Sequence, residues 1–275
     1  MSLKNRLVFL KLGGSLITDK NLVRTPRREL LGQLAQAIQS ARKMHPDIQL
    51  LIGHGSGSFG HVAANKYGTR QGVKTPAEWK GFAQVWLDAS SLNRLVIAAL
   101  STAGIPAVSF PLSAAALAQD GRLLAWETTP IQRALMAELV PVVYGDVAFD
   151  IQRGGTIIST EEIFEYLAAL LKPFRILLAG IEPGVWQDYP KNTQLITAIT
   201  PASLPEVQKS LGGSASIDVT GGMVSKVHQA LKLVQNVPDL DVFIFSGLEP
   251  GAVIEAFGDH PPGTRLYIDS QTDLD

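Results

Sequence analysis

The sequence of 275 residues contains no cysteine, which excludes disulfide bonds, thiolate nucleophiles and cysteine-ligated metals. Neither sign of charge is in excess, because 24 basic residues face 25 acidic ones for a net charge of −1. This balance does not indicate a nucleic-acid partner. Long apolar runs are also lacking: the run Leu7–Leu12 is too short for a membrane helix and contains Lys11. Together these absences predict a soluble cytoplasmic protein with no membrane partner.

Apolar residues make up 46% of the chain, enough for a substantial core. Short apolar runs predict strands at Leu7–Leu12, Ile48–Ile52, Pro106–Phe110, Val140–Tyr144, Thr156–Ile158, Ile176–Leu178, Val242–Phe245 and Arg265–Ile268. Helical patterns separate most of them, at Arg28–Lys43, Pro76–Ala103, Pro130–Glu138, Glu161–Leu171 and Met223–Val237. Gly154-Gly155 and Asp120-Gly121 indicate turns of hairpins. This alternation predicts an α/β fold with one mainly parallel sheet covered by helices on both faces, in two lobes that meet near residue 172.

The glycine-rich segment Gly53–His61 is the most informative stretch, because it follows the predicted strand Ile48–Ile52 and leads into a helical pattern. Glycine allows the backbone to turn sharply and to approach a ligand closely, so that several N–H groups can converge on phosphate oxygens. The N-terminus of a following helix also favours an anion. The segment therefore predicts a phosphate site, with His61 as a hydrogen-bond donor at the entry to the helix.

Lysines accompany two further glycine turns. Lys11 and Lys20 flank Gly13-Gly14 after the first predicted strand, and Lys226 follows a second glycine pair within the segment Asp218–Lys226. Cations gathered around a polyanion stabilise the transition state of phosphoryl transfer without covalent chemistry. The alternative for the second turn is an ordinary helix capped by Thr220.

Asp146 follows the predicted strand Val140–Tyr144. In the same cleft as the lysines its carboxylate could orient them or a magnesium ion; elsewhere it would be an ordinary turn cap.

Gly55, Gly57 and Gly60 also satisfy the spacing of a dinucleotide-binding fingerprint, with Glu78 about 20 residues further on. That fingerprint normally opens the first strand–helix unit, whereas here a complete unit precedes it. The chain contains no P-loop motif, so it is not a P-loop NTPase.

Taken together, these motifs resemble the amino-acid kinase superfamily, and within it the isopentenyl phosphate kinases. The resemblance rests on Lys11–Ser15 with Lys20, on His54–His61, on Pro141–Val147 and on Asp218–Lys226, and it covers almost the whole chain. It implies a three-layer αβα sandwich, usually a homodimer, in which residues 1–172 bind a small phosphate acceptor and residues 173–275 bind ATP with Mg²⁺. The implied reaction is direct in-line transfer of a phosphoryl group from ATP to isopentenyl phosphate.

The resemblance also implies roles for individual residues. The catalytic set would be Lys11, Lys20, His61, Asp146, Glu161 and Lys226. The acceptor would be bound by Ser56, Gly60, His61 and Thr160. ATP would be bound by Lys11, Gly13, Gly14, Gly57, Gly222 and Lys226. No cage of protein ligands for a metal ion is expected.

Three segments depart from the family pattern. Thr160-Glu161 stands where the family has Gly-Asp, whose Asp orients the catalytic lysines, and Ala179-Gly180 stands where the nucleotide segment has Thr-Asp. Phe245-Ser246 stands where the family usually has Asn-Ala before the late glycine, Gly247. Two alternative functions therefore remain open. One is a kinase for another phosphate or phosphonate such as fosfomycin, and the other is a non-catalytic ligand-binding relative.

Overall fold

The computed structural model describes residues 6–207 and 221–269. Within these residues a central sheet of eight strands runs in the order β12-β14-β13-β9-β1-β2-β6-β3. In this sheet β13 and β14 pair with each other in antiparallel orientation. Its strands are β1 Arg6–Leu12, β2 Ile48–His54, β3 Ala107–Ser109, β6 Val140–Tyr144, β9 Arg175–Gly180, β12 Ala198–Ile199, β13 Asp241–Ser246 and β14 Thr264–Leu266. The predicted mainly parallel sheet is confirmed.

Helices cover both faces of this sheet, as an apolar parallel sheet requires. They are α1 Gly14–Ile17, α2 Arg28–Met44, α3 Gly57–Tyr67, α4 Pro76–Thr102, α5 Thr129–Met136, α6 Thr160–Leu171, α7 Gly221–Asn236 and α8 Pro250–Ala256, with a 3₁₀ turn at Leu112–Ala114. Alternate residues of β1 point to opposite faces: Val8 and Leu10 pack with α2, α4 and α8, whereas Phe9 packs with α5, α6 and α7. The result is the predicted three-layer αβα sandwich.

A smaller sheet stands beside the central one in the described chain, in the order β5-β4-β7-β8. Its strands are β4 Ala116–Gln119, β5 Arg122–Trp126, β7 Asp146–Asp150 and β8 Gly154–Ile158. The two predicted hairpins are confirmed. β4 pairs antiparallel with β5 across Asp120-Gly121, and β7 pairs antiparallel with β8, whose first two residues are Gly154 and Gly155. A short pair, β10 Val185–Trp186 with β11 Leu195–Ile196, follows β9.

Two helix starts position the site through local sequence. Thr75 and Glu78 form a capping box at the start of α4, and Ser159 and Glu162 form another at the start of α6. Glu78 therefore serves as a helix cap, and the dinucleotide interpretation, which needed this carboxylate for a ribose, is wrong. The second capping box fixes where Glu161 leaves the first turn of α6.

Candidate active site

Two glycine loops lie backbone against backbone at the carboxyl ends of β1 and β2. A Cβ placed on Gly14 would come within 2.7 Å of the Gly57 Cα, and one placed on Gly55 would come within 2.9 Å of the Gly14 nitrogen. Gly57 has a φ of +49°, and a Cβ there would overlap the Thr18 hydroxyl. Only glycine allows this approach and this conformation, so the sequence positions both loops rigidly at one edge of the sheet.

The start of α3 offers backbone donors to a ligand. The first N–H groups of a helix have no acceptor within the helix itself. Of these, the Ser58 N–H donates to Thr18 Oγ1 at 2.9 Å and the Phe59 N–H donates to the Ser56 carbonyl at 3.0 Å. No acceptor for the Gly57 N–H is found among the described residues. Gly57 and Ser56 both line a cavity. This arrangement suits the binding of an anion at the helix N-terminus.

A cavity of about 280 Å³ brings most of the predicted site residues together. Its charged lining comprises Lys11 of β1, Lys20 of the loop after α1, Glu161 of α6, Glu182 of the loop after β9 and Lys226 of α7. Its glycine lining includes Gly13, Gly14, Gly57 and Gly222. Residues up to 215 positions apart in the sequence (Lys11 and Lys226) therefore meet around one space, with three ammonium groups and two carboxylates.

Lys11 and Glu161 form an ion pair across the base of this cavity. Lys11 is 7% exposed, because β1 is a central strand. Burial alone would raise the pKa of Glu161, but the charge and hydrogen bond of Lys11, with the Lys226 charge, outweigh it and hold that pKa below the ordinary value. Glu161 is thus ionised at neutral pH. The longer side chain at this departure from the family pattern does reach a lysine.

The charges of Lys11 and Glu161 also act on Lys226. Burial lowers the pKa of Lys226, and the neighbouring charge of Lys11 lowers it further, while Glu161 partly opposes the effect. Like charges held close together favour an incoming anion, which relieves their mutual repulsion. The site is therefore electrostatically prepared for a ligand with several negative charges.

A larger cavity, of about 750 Å³, adjoins the first and shares Ser56, Gly145 and Ile157 with it. Gly60 of α3 lies on its wall, and a Cβ there would meet the Ser56 hydroxyl at 2.5 Å. Its apolar lining comprises Ala64, Tyr67, Val85, Ala89 and Ile157. A molecule with a polar head at Ser56 and an apolar tail between α3 and α4 would fit this space.

Asp146 is not at the position predicted for it. Its carboxylate accepts hydrogen bonds from the hydroxyl of Ser113 at 2.8 Å and from the backbone N–H of Val147 at 2.8 Å. Burial raises the pKa of Asp146 to about 6, which these hydrogen bonds only partly oppose. Gly145 lines the lysine cavity whereas Asp146 does not. The expectation that Asp146 orients the lysines is therefore corrected: this carboxylate anchors the loop of Ser113.

Thr160 lines the cavity, but its hydroxyl is already engaged. It donates to the backbone carbonyl of His54 at 2.6 Å, and the side chain is 1% exposed. The hydroxyl of Thr160 thus holds β2 to α6, and the binding of the acceptor by Thr160 stays a prediction. The methyl group points toward Gly53, where a Cβ would meet it at 2.7 Å.

Some predicted residues lie outside the described part of the structure. The backbone of His61 belongs to α3, but its side chain is outside what the structure describes. Asp218 and Thr220 lie in the stretch 208–220, which is also outside it. Their predicted roles stay predictions.

The nucleotide segment after β9 lacks the family's hydroxyl and carboxylate but supplies another acid. Ala179 and Gly180 line the lysine cavity, and the Ala179 carbonyl accepts the Gly13 N–H at 2.8 Å. Glu182 also lines it, and one of its oxygens accepts the indole N–H of Trp186 at 2.9 Å. Sequence reasoning missed Glu182 as a site residue, although an acid just after a strand that ends at the site could have indicated it.

Sequence reasoning also missed a buried polar group beneath the glycine loop. His54 is fully buried, and its ring contacts Asn93 of α4, which is 5% exposed. The signal was available, because Asn93 stands among apolar residues on the buried face of a long helix. Polar side chains on such a face need partners, and those of Asn93 are His54 and Ser109.

Comparison with known proteins agrees with this geometry. The model of the amino acid kinase family matches residues 6–246. Isopentenyl phosphate kinase from Methanocaldococcus jannaschii is 33% identical over 266 residues, which is 94% of this chain and 98% of that protein. The enzyme from Methanothermobacter thermautotrophicus is 34% identical over 273 residues, with the same coverage. A solved X-ray structure of isopentenyl phosphate kinase superposes with a TM-score of 0.78 at 31% identity, over 94% of this chain and 99% of that one.

The sheet order, the paired glycine loops and the lysine cavity, together with the family match, define a member of the amino acid kinase family. Because identity above 30% extends over nearly the whole length of both chains, this chain belongs within that family to the isopentenyl phosphate kinases. In the described residues, none of the helices is both long enough and apolar enough to cross a bilayer.

Proposed function

We propose that this chain catalyses transfer of the γ-phosphoryl group of ATP to isopentenyl phosphate, giving isopentenyl diphosphate and ADP. The observation that carries the proposal is the convergence of Lys11, Lys20 and Lys226 with Glu161 in one cavity beside two glycine loops. Phosphoryl transfer needs positioned cations and backbone donors more than it needs covalent chemistry. The site supplies both.

The adjoining larger cavity supports a phosphate acceptor with an apolar tail. Its walls come from residues 56–157, and it meets the lysine cavity at Ser56 and Gly145. The acceptor's phosphate would lie at this junction and its tail between α3 and α4. The N-terminal half, residues 1–172, is accordingly proposed to bind the acceptor.

The C-terminal half, residues 173–275, is proposed to bind the nucleotide. Gly180, Glu182, Gly222 and Lys226 contribute the opposite wall of the lysine cavity. A Cβ placed on Gly222 would meet no atom of the described residues within 4 Å, which supports the approach of a phosphate or ribose to its backbone. By the resemblance we further propose a cytoplasmic homodimer, which sedimentation of the purified protein would test.

The reaction proceeds by direct displacement. An oxygen of the acceptor phosphate forms a bond to the γ-phosphorus while the bond from that phosphorus to the β–γ bridging oxygen breaks, and ADP leaves with that oxygen. Lys11, Lys20 and Lys226 all line the cavity, and they are proposed to stabilise the charge that develops on the transferring group. Glu161 holds the Lys11 ammonium in place. The backbone N–H of Gly57 and the side chain of His61 are proposed to bind phosphate oxygens.

Magnesium would enter with the nucleotide. In residues 6–207 and 221–269 no group of three or more acidic or histidine side chains could hold a metal ion alone. This fits Mg²⁺, which is usually held by substrate phosphates, waters and one or two carboxylates. Glu182 is the carboxylate on the cavity wall whose second oxygen is not used by Trp186. When bound, Mg²⁺ would supply positive charge that neutralises part of the charge of the nucleotide phosphates, and Glu182 is the residue that would help to hold it.

A coupled assay for ADP release with isopentenyl phosphate tests the proposal. Replacement of Lys226 by Met is expected to lower kcat by about 100-fold or more, because it removes a cation from the transition state. Lys232→Met is the matched control on the same helix, since Lys232 pairs with Glu165 on the surface. His61→Ala is expected to raise the KM for the acceptor.

The alternatives give different results in the same experiment. Turnover with fosfomycin or another small phosphonate, and none with isopentenyl phosphate, would replace the proposed acceptor. Tight binding of isopentenyl phosphate in calorimetry, with neither nucleotide binding nor turnover, would identify a non-catalytic relative. Equal loss of activity in the Lys226 and Lys232 variants would contradict the role given to the lysine cavity.

A further inference from the structure

His54 is the last residue of β2 and lies directly beneath the glycine loop. Its Nδ1 is 3.2 Å from the carbonyl oxygen of Gly55, and its Nε2 is 3.1 Å from the side-chain amide of Asn93. The Asn93 amide in turn lies 2.7 Å from the Ser109 hydroxyl. The ring is stacked on Tyr144, with centroids 5.3 Å apart and planes 7° from parallel. The imidazole is therefore fixed on its edges and on one face.

The partners determine which nitrogen carries the proton. Burial lowers the pKa of His54, and the Lys11 charge lowers it further against the opposing hydrogen bonds, so the ring is neutral with a single N–H. Both ring nitrogens face an acceptor in the structure, Nδ1 the Gly55 carbonyl and Nε2 the Asn93 Oδ1, and a neutral ring can donate to only one of them. In the structure the Asn93 Nδ2–H donates to the Ser109 hydroxyl. If the Asn93 amide is instead turned by 180°, its NH₂ donates to Nε2, the Ser109 hydroxyl donates to its carbonyl and Nδ1–H donates to Gly55, so that every group has a partner. An amide group fits either orientation in the same space.

The contact with Gly55 controls a donor at the active site. The Gly55 carbonyl and the Ser56 N–H belong to the same planar trans peptide and point in opposite directions. Fixing the carbonyl toward the ring therefore turns the Ser56 N–H away from it, and Ser56 lies at the junction of the two cavities. Gly55 itself has little resistance to rotation of this peptide, because it lacks a Cβ.

The groups around this peptide are also fixed. The Gly55 N–H donates to the Leu12 carbonyl at 3.1 Å, and the His54 carbonyl accepts from the Thr160 hydroxyl at 2.6 Å. With the contact to the His54 ring, the peptide groups just before Ser56 all have hydrogen-bond partners. No acceptor for the Ser56 N–H is found among the described residues, so this donor is available to a ligand.

We propose that His54 is a positioning residue, whose Nδ1–H holds the Gly55–Ser56 peptide so that the Ser56 N–H faces the phosphate groups at the junction of the two cavities. This inference rests on the proposed function for the identity of the phosphates. It assigns the effect of His54 to phosphate binding by the loop rather than to packing of the core.

Two substitutions separate the two ring nitrogens. In His54→Asn the amide nitrogen can occupy the place of Nδ1, whereas in His54→Gln it can occupy only the place of Nε2. We expect His54→Asn to keep the Kd for inorganic diphosphate and the KM for isopentenyl phosphate within about threefold of the parent. His54→Gln should weaken both about tenfold, the effect of one lost hydrogen bond to a charged group. His45→Gln, at the end of α2, is the control for a histidine far from the loop.

The outcomes are distinguishable. Weaker binding in His54→Asn than in His54→Gln, or equal loss in both folded variants, would overturn the proposal. Diphosphate binding by calorimetry requires no turnover, so a parent protein that binds diphosphate but has no activity contradicts the proposed function and still tests His54. The tautomer is measured in the parent protein itself, by ¹⁵N NMR of labelled histidine at pH 7.5. A proton on Nδ1 supports the proposal, and a proton on Nε2 overturns it whether or not the variants fold.

Discussion

Replacement of Glu161 by Gln changes the electrostatics of the site with almost no change of shape. Glu161 is the ion-pair partner of Lys11 and acts electrostatically on Lys226. The substitution removes the carboxylate that pairs with Lys11 and leaves Glu182 as the remaining carboxylate in the cavity lining of the described residues. We expect the folded state to be less stable at neutral pH and kcat to fall, because Lys11 is no longer held against the cavity wall.

The size of the stability loss follows from how buried the pair is. The side chains of Lys11 and Glu161 are 9% and 23% exposed, so the pair lies between a surface ion pair and a fully buried one. Surface pairs contribute up to about 1 kcal/mol, and breaking a buried pair costs about 3–5 kcal/mol. We therefore expect a loss of about 2 kcal/mol in the free energy of unfolding. Glu165→Gln is the matched control on the same helix, because its pair with Lys232 is largely exposed.

The pH dependence of this difference has a definite sign. The pKa of Glu161 is lower in the folded protein than its ordinary value of 4.5, so its stabilising effect is present above pH 4.5. That stabilising effect is lost as the pH falls through the pKa of Glu161 in the folded protein, because the carboxyl group of the parent then also becomes neutral. Urea unfolding of parent and variant from pH 7 to pH 3.5 should show a gap that closes on acidification.

Diphosphate provides a second check on the same reasoning. A ligand that binds only the folded state at 100 times its Kd stabilises it by about 2.7 kcal/mol. Because the variant has one negative charge fewer in the cavity, it should bind diphosphate at least as tightly as the parent and be rescued by it. Equal stability of parent and variant at pH 7, or a gap that does not change with pH, would refute the ion-pair argument.

Further predictions concern residues that the structure separates from one another. Gly57→Ala should destabilise the fold or prevent it, because the new Cβ overlaps Thr18 and lies 2.6 Å from the Gly14 carbonyl, whereas Gly222→Ala should fold like the parent and weaken nucleotide binding in calorimetry. Equal thermal stability of the two variants would contradict this contrast. Asp146→Asn should leave kcat within about threefold of the parent, because Asp146 binds Ser113 and does not line the lysine cavity. Since the pKa of Asp146 is raised from 3.8 to about 6, the folded parent binds an extra proton between these values, and stability from this group increases as the pH falls through them. The Asn variant should lack that increase in urea titrations, and a steep loss of kcat would restore Asp146 to the active site.

The fold was largely predictable because its signals are local. Apolar runs such as Leu7–Leu12 and helical patterns such as Pro76–Ala103 correspond to β1 and α4 within one residue at each end. The elements that were missed are short: α1, α8 and the pair β10 and β11 are too brief for a periodicity to emerge. The turn at Asp120-Gly121 was predictable because both residues take positive φ there.

The site was predictable in its parts but not in its pairings. Glycine turns beside Lys11, Lys20 and Lys226 indicated a polyanion site, since these residue types have few other reasons to recur together. Which carboxylate serves the lysines could not be read from the sequence, because Asp146 and Glu161 both stand at the ends of strands or the starts of helices. The choice depends on side-chain direction, which three-dimensional packing of β7 against the Ser113 loop decides.

The proposed site would divide the binding of phosphate between backbone donors and lysine side chains. The loops of Gly14 and Gly57 are in direct backbone contact, so the peptide donors they carry cannot move independently. The lysines are long side chains, and an ammonium group has three N–H donors, so Lys11 can keep Glu161 and still contact two phosphoryl oxygens. Position is therefore set by the backbone and charge is supplied by the lysines. It follows that changes in the loops should alter binding geometry and KM, while changes at Lys11, Lys226 or Glu161 should fall mainly on kcat.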